Sequence, residues 1–123
     1  MFVRKMTEAP ERGREGLVSQ VLLQEGDIAE SEMAVTWVEV EPGGRQGSHS
    51  HAPQQVYVVV RGRGVMHVGQ DREEVGVGDL VFIPSNEPHH IENVSDGEPV
   101  TYVSVATPAF SLTDLYDTGD LSS

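Results

Sequence analysis

The sequence predicts an all-β domain, built as an antiparallel sandwich or a small barrel, and three observations support this prediction. Short runs rich in Val, Ile, Tyr and Phe recur along the chain and are separated by turn residues. The chain contains 13 Gly and 7 Pro without a low-complexity run, which is typical of many strands joined by tight turns. Almost no segment has the periodicity of an amphipathic helix. At 123 residues, the chain has the length of one domain with its own core.

The predicted strands follow one another at short, regular spacing. Each is an alternating or apolar run that ends at Gly, Pro, Asn or Asp. The eight predicted strands span residues 17–24, 33–41, 54–60, 65–68, 72–75, 80–83, 89–94 and 100–106. We expect residues 1–15 to form a polar arm with at most a short edge strand, and residues 16–110 to form the barrel domain. Residues 111–123 are expected to form a polar tail, in which Ser111 starts a single helical turn.

The charges and the composition exclude several functions. Twenty acidic residues against eight basic ones give a formal net charge of −12, so nucleic acid is not an expected partner. This acid excess fits either the surface of a halophile's protein or an ordinary acidic domain. No run is long and apolar enough to span a membrane, and residues 1–5 do not begin a signal peptide, so we expect a cytoplasmic protein without a membrane partner. The absence of Cys excludes disulfides and thiolate metal sites.

A histidine-rich stretch joins the second and third predicted strands. His49, His51 and Gln55 are separated by even numbers of residues, so their side chains share one face if the backbone is extended. Two imidazoles and an amide oxygen on one face can bind a first-row divalent metal ion, and His89 is the candidate for one more ligand. The alternative is that these histidines lie in a surface loop and Gln55 is an ordinary polar strand residue.

The spacing of these residues resembles the two sequence motifs of the cupin superfamily. The first motif is matched by Gly43, His49, His51, Gln55 and Gly62. The second motif is matched by Gly78, Pro84, Asn86, His89 and Asn93. The resemblance covers residues 43–93 and implies a double-stranded β-helix, or jelly roll, with both motifs at the mouth of the barrel. It also implies that His49, His51, Gln55 and His89 hold one divalent transition metal ion.

Two positions depart from the family pattern. Asn86 replaces a glycine, which is a mild change because asparagine tolerates left-handed backbone better than most residues do. Gln55 replaces a glutamate, so all four expected ligands are neutral and the ion keeps its full charge. A neutral site strengthens a Lewis acid and disfavours a trivalent state, which favours non-redox chemistry. The ligand set suits Zn, Ni, Mn, Fe, Co or Cu and does not select among them.

Three further residues are candidates for the surroundings of the ion. Tyr57 has the same strand parity as Gln55 and is expected to present its hydroxyl to the pocket. Arg45 precedes the histidines and would meet an anionic substrate, the alternative being a solvated loop residue. Asn93 is expected, from the family motif, to hold the loop near the metal, and its alternative role is to cap backbone groups at a strand end.

The remaining histidines and large apolar residues have less specific expectations. His90 should point to the opposite face of its strand from His89, and His67 should face water or another strand. The large side chains available to line the barrel are those of Trp37, Tyr57, Met66, Phe82, Tyr102 and Phe110.

Three functions remain open from the sequence. The favoured one is a metal-dependent enzyme that performs Lewis-acid isomerisation, tautomerisation or lyase chemistry on an oxygenated small molecule, such as a sugar or a uronate. The second is a non-catalytic module that binds a sugar or small acid, and the third is an Fe or Cu dioxygenase of the quercetinase or thiol type. We also expect a homodimer, in which a partner covers the polar arm and the exposed strand edges.

Overall fold

The computed structural model describes residues 1–14, 16–44 and 46–108, and within them nine strands form two antiparallel sheets. One turn of 3-10 helix, Met6–Glu8, precedes the strands. The strands are β1 (Glu11–Arg14), β2 (Leu17–Leu23), β3 (Ala34–Val40), β4 (Gln54–Arg61), β5 (Arg63–Val68), β6 (Asp71–Gly76), β7 (Leu80–Ile83), β8 (His89–Asn93) and β9 (Val100–Thr107). The large sheet has the order β1-β2-β3-β9-β4-β7 and the small sheet the order β6-β5-β8. This architecture confirms the predicted all-β jelly roll.

The inner faces of the two sheets enclose one hydrophobic core. Burial alternates along β3 and β4, so every second side chain enters the core and the others remain on the outer face. Val40, Ile83 and Ile91 are fully buried, and they bring together β3, β7 and β8. The strict alternation explains why a sequence pattern of period two located the strands.

The predicted strands agree closely with the observed ones. Each of the eight predicted strands overlaps one of β2 to β9, and the ends differ by no more than about two residues. The short edge strand allowed in the polar arm is β1, which pairs with β2 at the border of the large sheet. In the described part of the chain, no helix is long and apolar enough to cross a membrane. The expected helical turn at Ser111 and the expected core residue Phe110 lie outside the described residues.

Two expectations were wrong in detail. The segment that carries the histidines is not one extended strand: β4 begins only at Gln54, and residues 52 and 53 bend the chain before it. Phe82 does not line the barrel but lies on the outer face of β7, where 52% of its surface is exposed. Trp37 does not line it either, because it lies on the outer face of β3 between the buried Thr36 and Val38. In β7, Val81 and Ile83 have the inward positions, so the register of the strand leaves Phe82 outside.

The loop before β4 follows β8 as if it were a further strand. The amide of Gln46 donates to the carbonyl of Ile91 (3.1 Å), and His49 and His89 donate to each other's carbonyls (3.1 and 2.8 Å). Between these contacts the loop advances three residues while β8 advances two, which is the irregularity of a β-bulge. The extra residue changes the parity of the loop and leaves His49 buried beside His89.

Candidate metal centre

Three histidines from two distant parts of the chain converge in one cluster. His49 and His51 come from the loop before β4, and His89 is the first residue of β8. One ring nitrogen of each lies within 4.8 Å of the others. The ring centroids of His49 and His89 are 4.2 Å apart, and those of His51 and His89 are 5.0 Å apart. The structure therefore brings together the three imidazoles that the sequence motifs singled out.

Each of the three imidazoles is oriented by a hydrogen bond to the main chain. In every case Nδ1 lies 2.8 to 2.9 Å from the carbonyl oxygen of a residue two positions away. The acceptors are the carbonyl oxygens of Gly47, Pro53 and Glu87. Because a carbonyl oxygen only accepts, Nδ1 has to carry the proton, and the lone pair available to a cation lies on Nε2. Three backbone carbonyls thus select the tautomer that a metal site requires.

His89 shows directly that the cluster fits a cation. Its side chain is 1% exposed, and its Nε2 atom is one of two buried side-chain atoms without a hydrogen-bond partner in the described part of the chain. Burial, reinforced by the nearby rings of His49 and His51, lowers the pKa of His89 from 6.5 to about 3. The ring is therefore neutral near pH 7, with a buried lone pair that nothing else in the described structure satisfies. A metal ion would satisfy it.

Gln55 lies at the edge of the same cluster. Its Oε1 atom is 2.8 Å from Nε2 of His51, and its Nε2 atom donates to the hydroxyl of Ser104 at 2.5 Å. Two atoms with lone pairs at this distance need either a proton or a cation shared between them. Neighbouring ligands of one ion, each about 2.1 Å from it, are about 3 Å apart, so the separation also suits a shared metal.

A buried network of hydrogen bonds and ring contacts lies beside the histidine cluster. Tyr57 was expected to present its hydroxyl to the pocket; in the structure, that hydroxyl donates to Oε1 of Gln46 at 3.4 Å. The ring of Tyr57 stacks on Tyr102 and meets the ring of His89 edge-on, with centroids 4.1 and 6.1 Å away. Gln46 also donates to the hydroxyl of Tyr102 at 2.5 Å and is only 3% exposed.

Sequence reasoning missed Gln46 and Ser104 as parts of the site. Gln46 lies in a glycine-rich loop, where a glutamine normally contacts solvent, so nothing in the sequence indicated its burial. Ser104 could have been found, because it alternates with Tyr102 and Ala106 on the inner face of β9.

Comparison with known proteins identifies the family. The family model described as "Cupin domain" matches residues 36–106, which include the three histidines, Gln55 and Ser104. This chain is a cupin.

Relatives in sequence have several descriptions. An uncharacterized protein of Methanocaldococcus jannaschii is 32% identical over 76 residues, and the match covers 61% of this cupin and 60% of that protein. An oxalate-binding protein of Thermotoga maritima is 29% identical over 103 residues, with 78% and 85% covered. A gentisate 1,2-dioxygenase of Haloferax sp is 34% identical over 68 residues, which are 55% of this cupin but only 18% of that enzyme.

Solved structures share the fold at low sequence identity. An RmlC-like cupin from Shewanella frigidimarina has a TM-score of 0.76 at 19% identity, with 90% of this chain and 94% of that one covered. An oxalate decarboxylase variant of Bacillus subtilis has a TM-score of 0.80 at 18% identity, with 95% of this chain and 31% of that one covered. These likenesses establish the jelly roll and leave the activity open.

Asn93 and Arg45 are the remaining candidate residues of this cupin, and neither is found beside the histidine cluster in the described structure. The side-chain amide of Asn93 donates to the carbonyls of Val40 (2.8 Å) and Glu98 (2.9 Å), and its oxygen accepts from the amide of Ser95 (2.6 Å). These contacts are the strand-end capping that the sequence left as an alternative, and they lie at the opposite end of β8 from His89. Arg45 lies outside the described residues.

The second-motif loop and the outer histidines agree with expectation. Asn86 has a φ of 63°, the left-handed conformation that the motif's glycine would adopt, and its amide donates to the carbonyl of His51 at 2.7 Å. His90 lies on the opposite face of β8 from His89 and stacks on His67, with ring centroids 4.2 Å apart. His67 is bonded to Glu92 at 3.0 Å, so this pair belongs to the outer face of the small sheet.

Proposed function

We propose that this cupin binds one divalent transition metal ion through His49, His51, His89 and Gln55. A metal ion held by these residues would supply Lewis-acid chemistry to a small oxygenated acid. The observation that carries the proposal is the convergence of one ring nitrogen from each of three imidazoles. Each imidazole has its Nδ1 atom against a backbone carbonyl, and Nε2 of His89 is buried without a partner. When bound, the metal would polarise a carbonyl or carboxylate oxygen of the ligand.

The charge of the site supports an acidic ligand. The described cluster contains three imidazoles and no carboxylate, and Gln55 adds an uncharged amide. A divalent ion held by these groups keeps two positive charges in a buried environment, where an anion would neutralise them at short range. The relatives agree with this charge argument, since two of the descriptions name oxalate, a dianion. A uronate, which also carries a carboxylate, meets the same requirement.

The metal site can be tested by stoichiometry. Protein purified without a nickel resin and treated with a chelator is loaded with Mn²⁺, Zn²⁺ or Fe²⁺ in turn, and bound metal is measured by elemental analysis. We expect one ion per chain in the wild type, and a loss of at least about tenfold in affinity in His89→Ala. His67→Ala, in the outer pair of histidines, is the matched control and should retain the ion. Equal metal content in both variants would contradict the proposed site.

The ligand class can be tested with pairs of similar molecules in which one member is anionic and the other neutral. We expect oxalate to bind the metal-loaded protein more tightly than neutral oxamide, and galacturonate more tightly than galactose, in calorimetric titrations. The metal-free protein should bind none of them. Equal binding of charged and neutral members would refute the electrostatic argument. Product analysis of the bound acids then separates an enzyme from a binding module, the second candidate, which the oxalate-binding relative favours.

A dioxygenase is the remaining candidate, supported by the match to the gentisate 1,2-dioxygenase. The neutral ligand set favours it less, because an anionic ligand is what normally stabilises iron as its charge rises. Oxygen uptake by the Fe²⁺-loaded protein with a dihydroxybenzoate or a thiol measures this directly. We expect no uptake above that of the metal-free protein, and uptake that is lost in His89→Ala would replace the Lewis-acid proposal.

A further inference from the structure

A cleft runs along one side of the barrel, between the edges of the two sheets. It is bounded by β6, the outermost strand of the small sheet, and by β7, the outermost strand of the large sheet on that side. The turn that joins the two strands is held to β4, because Gly78 and Asp79 exchange backbone hydrogen bonds with Val59. The cleft has a volume of about 610 Å³, which is in the range of small-molecule sites. We call it the side cleft.

The floor of the side cleft is apolar. Met66 and Val75 are only 3% and 6% exposed, and Val68 and Val81 pack against the core beside them. These four residues belong to the inner faces of the two sheets, so the floor is the outermost layer of the hydrophobic core. Methylene groups of a ligand would therefore lose contact with water when they lie on this floor.

Two carboxylates of β6 lie on the same side as this floor. Asp71 pairs with Val68, and Glu73 pairs with Met66. Residues directly opposite each other in an antiparallel pair lie on one face, so Asp71 and Glu73 share the inner face with the two apolar residues. Both acidic residues are exposed and line the side cleft. In the described part of the chain, neither forms an ion pair.

The side cleft has an excess of negative charge. Asp79 is a third acidic residue in its lining, at the turn, where Oδ2 accepts a hydrogen bond from the amide of Gly76 at 2.8 Å. Arg72 is the basic residue in the lining. It pairs with His67, which lies on the outer face of the small sheet, so its side chain starts on the opposite face from the carboxylates. A cationic ligand therefore matches the inner side of the cleft.

We propose that the side cleft binds an aliphatic polyamine, with ammonium groups at Asp71 and Glu73 and methylene groups over Val68 and Met66. An ammonium group has N–H donors and no acceptor, so a carboxylate is its natural partner. Asp71 and Glu73 are two residues apart, about 6.8 Å along the strand, and so offer two separate anionic points. A chain that carries amines separated by methylene groups can meet both points at once, and the second contact is then intramolecular.

The side cleft is distinct from the metal cluster. Asp71, Val68 and His89 form one row across three strands, so Asp71 is about two strand spacings, roughly 10 Å, from His89. None of the three clustered histidines lines the cleft. The metal ion is expected to attract an anion and the cleft a cation, so the inference is independent of the proposed function.

Calorimetric titration of the full chain with butylamine, putrescine and spermidine tests the proposal. We expect putrescine to bind more tightly than butylamine, which has a single amine, and spermidine to bind at least as tightly as putrescine. The double variant Asp71→Asn/Glu73→Gln should bind putrescine about tenfold more weakly, because two exposed ion pairs are lost. It should also lose the preference for putrescine over butylamine. The metal-loaded and metal-free proteins should give the same result.

Glu74→Gln is the matched control for Glu73→Gln. Glu74 is the next residue of β6, pairs with Val65 on the other face and forms an ion pair with Arg63 at 2.7 Å. The control removes the same charge from a chain of net charge −12, but it should leave putrescine binding unchanged. Equal losses of putrescine affinity in Glu73→Gln and Glu74→Gln would overturn the proposal, and so would a wild type that binds putrescine no better than butylamine.

Inward-pointing charges on an edge strand have a second known use, which is to prevent that edge from pairing with another chain. Sedimentation velocity of the double variant measures this role directly, and circular dichroism verifies that the fold is retained. A double variant that self-associates but binds putrescine as the wild type does would show that the two carboxylates protect the edge and bind no polyamine. That result would also overturn the proposal.

Discussion

The orientation of a single amide group decides what Gln55 can offer a cation. Ser104 accepts a hydrogen bond from Nε2 of Gln55 at 2.5 Å, and this contact turns Oε1 toward His51. Without the hydroxyl, the amide can rotate and present its NH₂ group, which repels a cation. Ser104 is 5% exposed, so water does not readily replace the hydroxyl.

We predict that Ser104→Ala weakens Mn²⁺ binding by about tenfold, because outer partners of metal ligands typically contribute on this scale. The free Mn²⁺ signal in electron paramagnetic resonance titrations measures the dissociation constant without relying on activity. Ser104→Thr retains the hydroxyl and should restore most of the affinity. If the alanine and threonine variants bind Mn²⁺ equally, the hydroxyl has no part in orienting Gln55.

The buried ring of His89 links stability to pH. Its pKa is about 3 in the folded protein and 6.5 when unfolded, so the unfolded chain binds the extra proton between these values. We predict that the metal-free protein has the full contribution of this group above pH 6.5 and loses it as the pH falls toward 3. The free energy of unfolding, measured by denaturant titration at each pH, should fall less steeply in His89→Gln than in the wild type.

Carboxylates also titrate in this range, and they do so in both proteins, so only the difference between the two slopes reports on His89. Identical slopes in the wild type and His89→Gln would show that the unfolded and folded states protonate this ring alike.

At the scale of elements, two glycines with similar backbone angles have different surroundings. Gly62, between β4 and β5, has a φ of 75°, and Gly78, before β7, has a φ of 91°. A Cβ atom at Gly62 would overlap the carbonyl oxygen of Pro99 and approach Ser95 Oγ to 2.9 Å, whereas one at Gly78 would have no neighbour within 4 Å. Comparing alanine substitutions at these two glycines therefore separates the energetic cost of backbone strain from that of steric crowding.

We predict that Gly78→Ala destabilises the protein by about 1 kcal/mol, the cost of a left-handed alanine, and that Gly62→Ala costs at least about 2 kcal/mol more. Denaturant unfolding of both variants measures the difference. Similar losses of unfolding free energy in the two variants would mean that the backbone at the β4–β5 junction can shift to accommodate a Cβ atom next to Pro99. Metal content should be unchanged in Gly78→Ala, which lies away from the ligands.

The elements were predictable where a regular period determined them, and the site was predictable only in part. The strands follow from alternation, and His89 was placed correctly because it begins a strand. The parity argument for His49, His51 and Gln55 assumed an extended backbone, whereas residues 52 and 53 bend the chain before Gln55. Gln46 was missed for a related reason: its burial depends on Tyr57 and Tyr102, which are distant in sequence.

At the scale of the whole molecule, the excess of negatively charged side chains causes electrostatic repulsion within the folded chain. Twenty acidic residues and eight basic ones give a charge of −12, and some of the ion pairs, such as that of Arg61 with Glu98, are exposed to solvent. At 0.1 M ionic strength, salt largely screens the repulsion between exposed charges that are more than about 10 Å apart. The fold should therefore gain stability as salt is added.

We predict that the melting temperature at pH 7 rises as NaCl is added and that the rise largely disappears near pH 4.6, where the net charge is close to zero. Calorimetry at both pH values over the same salt series measures it. Replacing NaCl by an equal ionic strength of another weakly interacting salt controls for specific ion binding. A rise of equal size at both pH values would indicate a specific ion effect in place of charge screening.

The two backbone hydrogen bonds between His49 and His89 have a consequence for which metal the site binds. These bonds, and the one from Asn86 to His51, fix the backbone on either side of the three histidines. A site of this kind does not select one divalent cation by its geometry. Its affinity for these cations is therefore expected to rise along the usual order from manganese to copper. We expect the bound metal to be the one that is available in the cell when the chain folds. Protein expressed in media of different trace-metal content should therefore contain different metals.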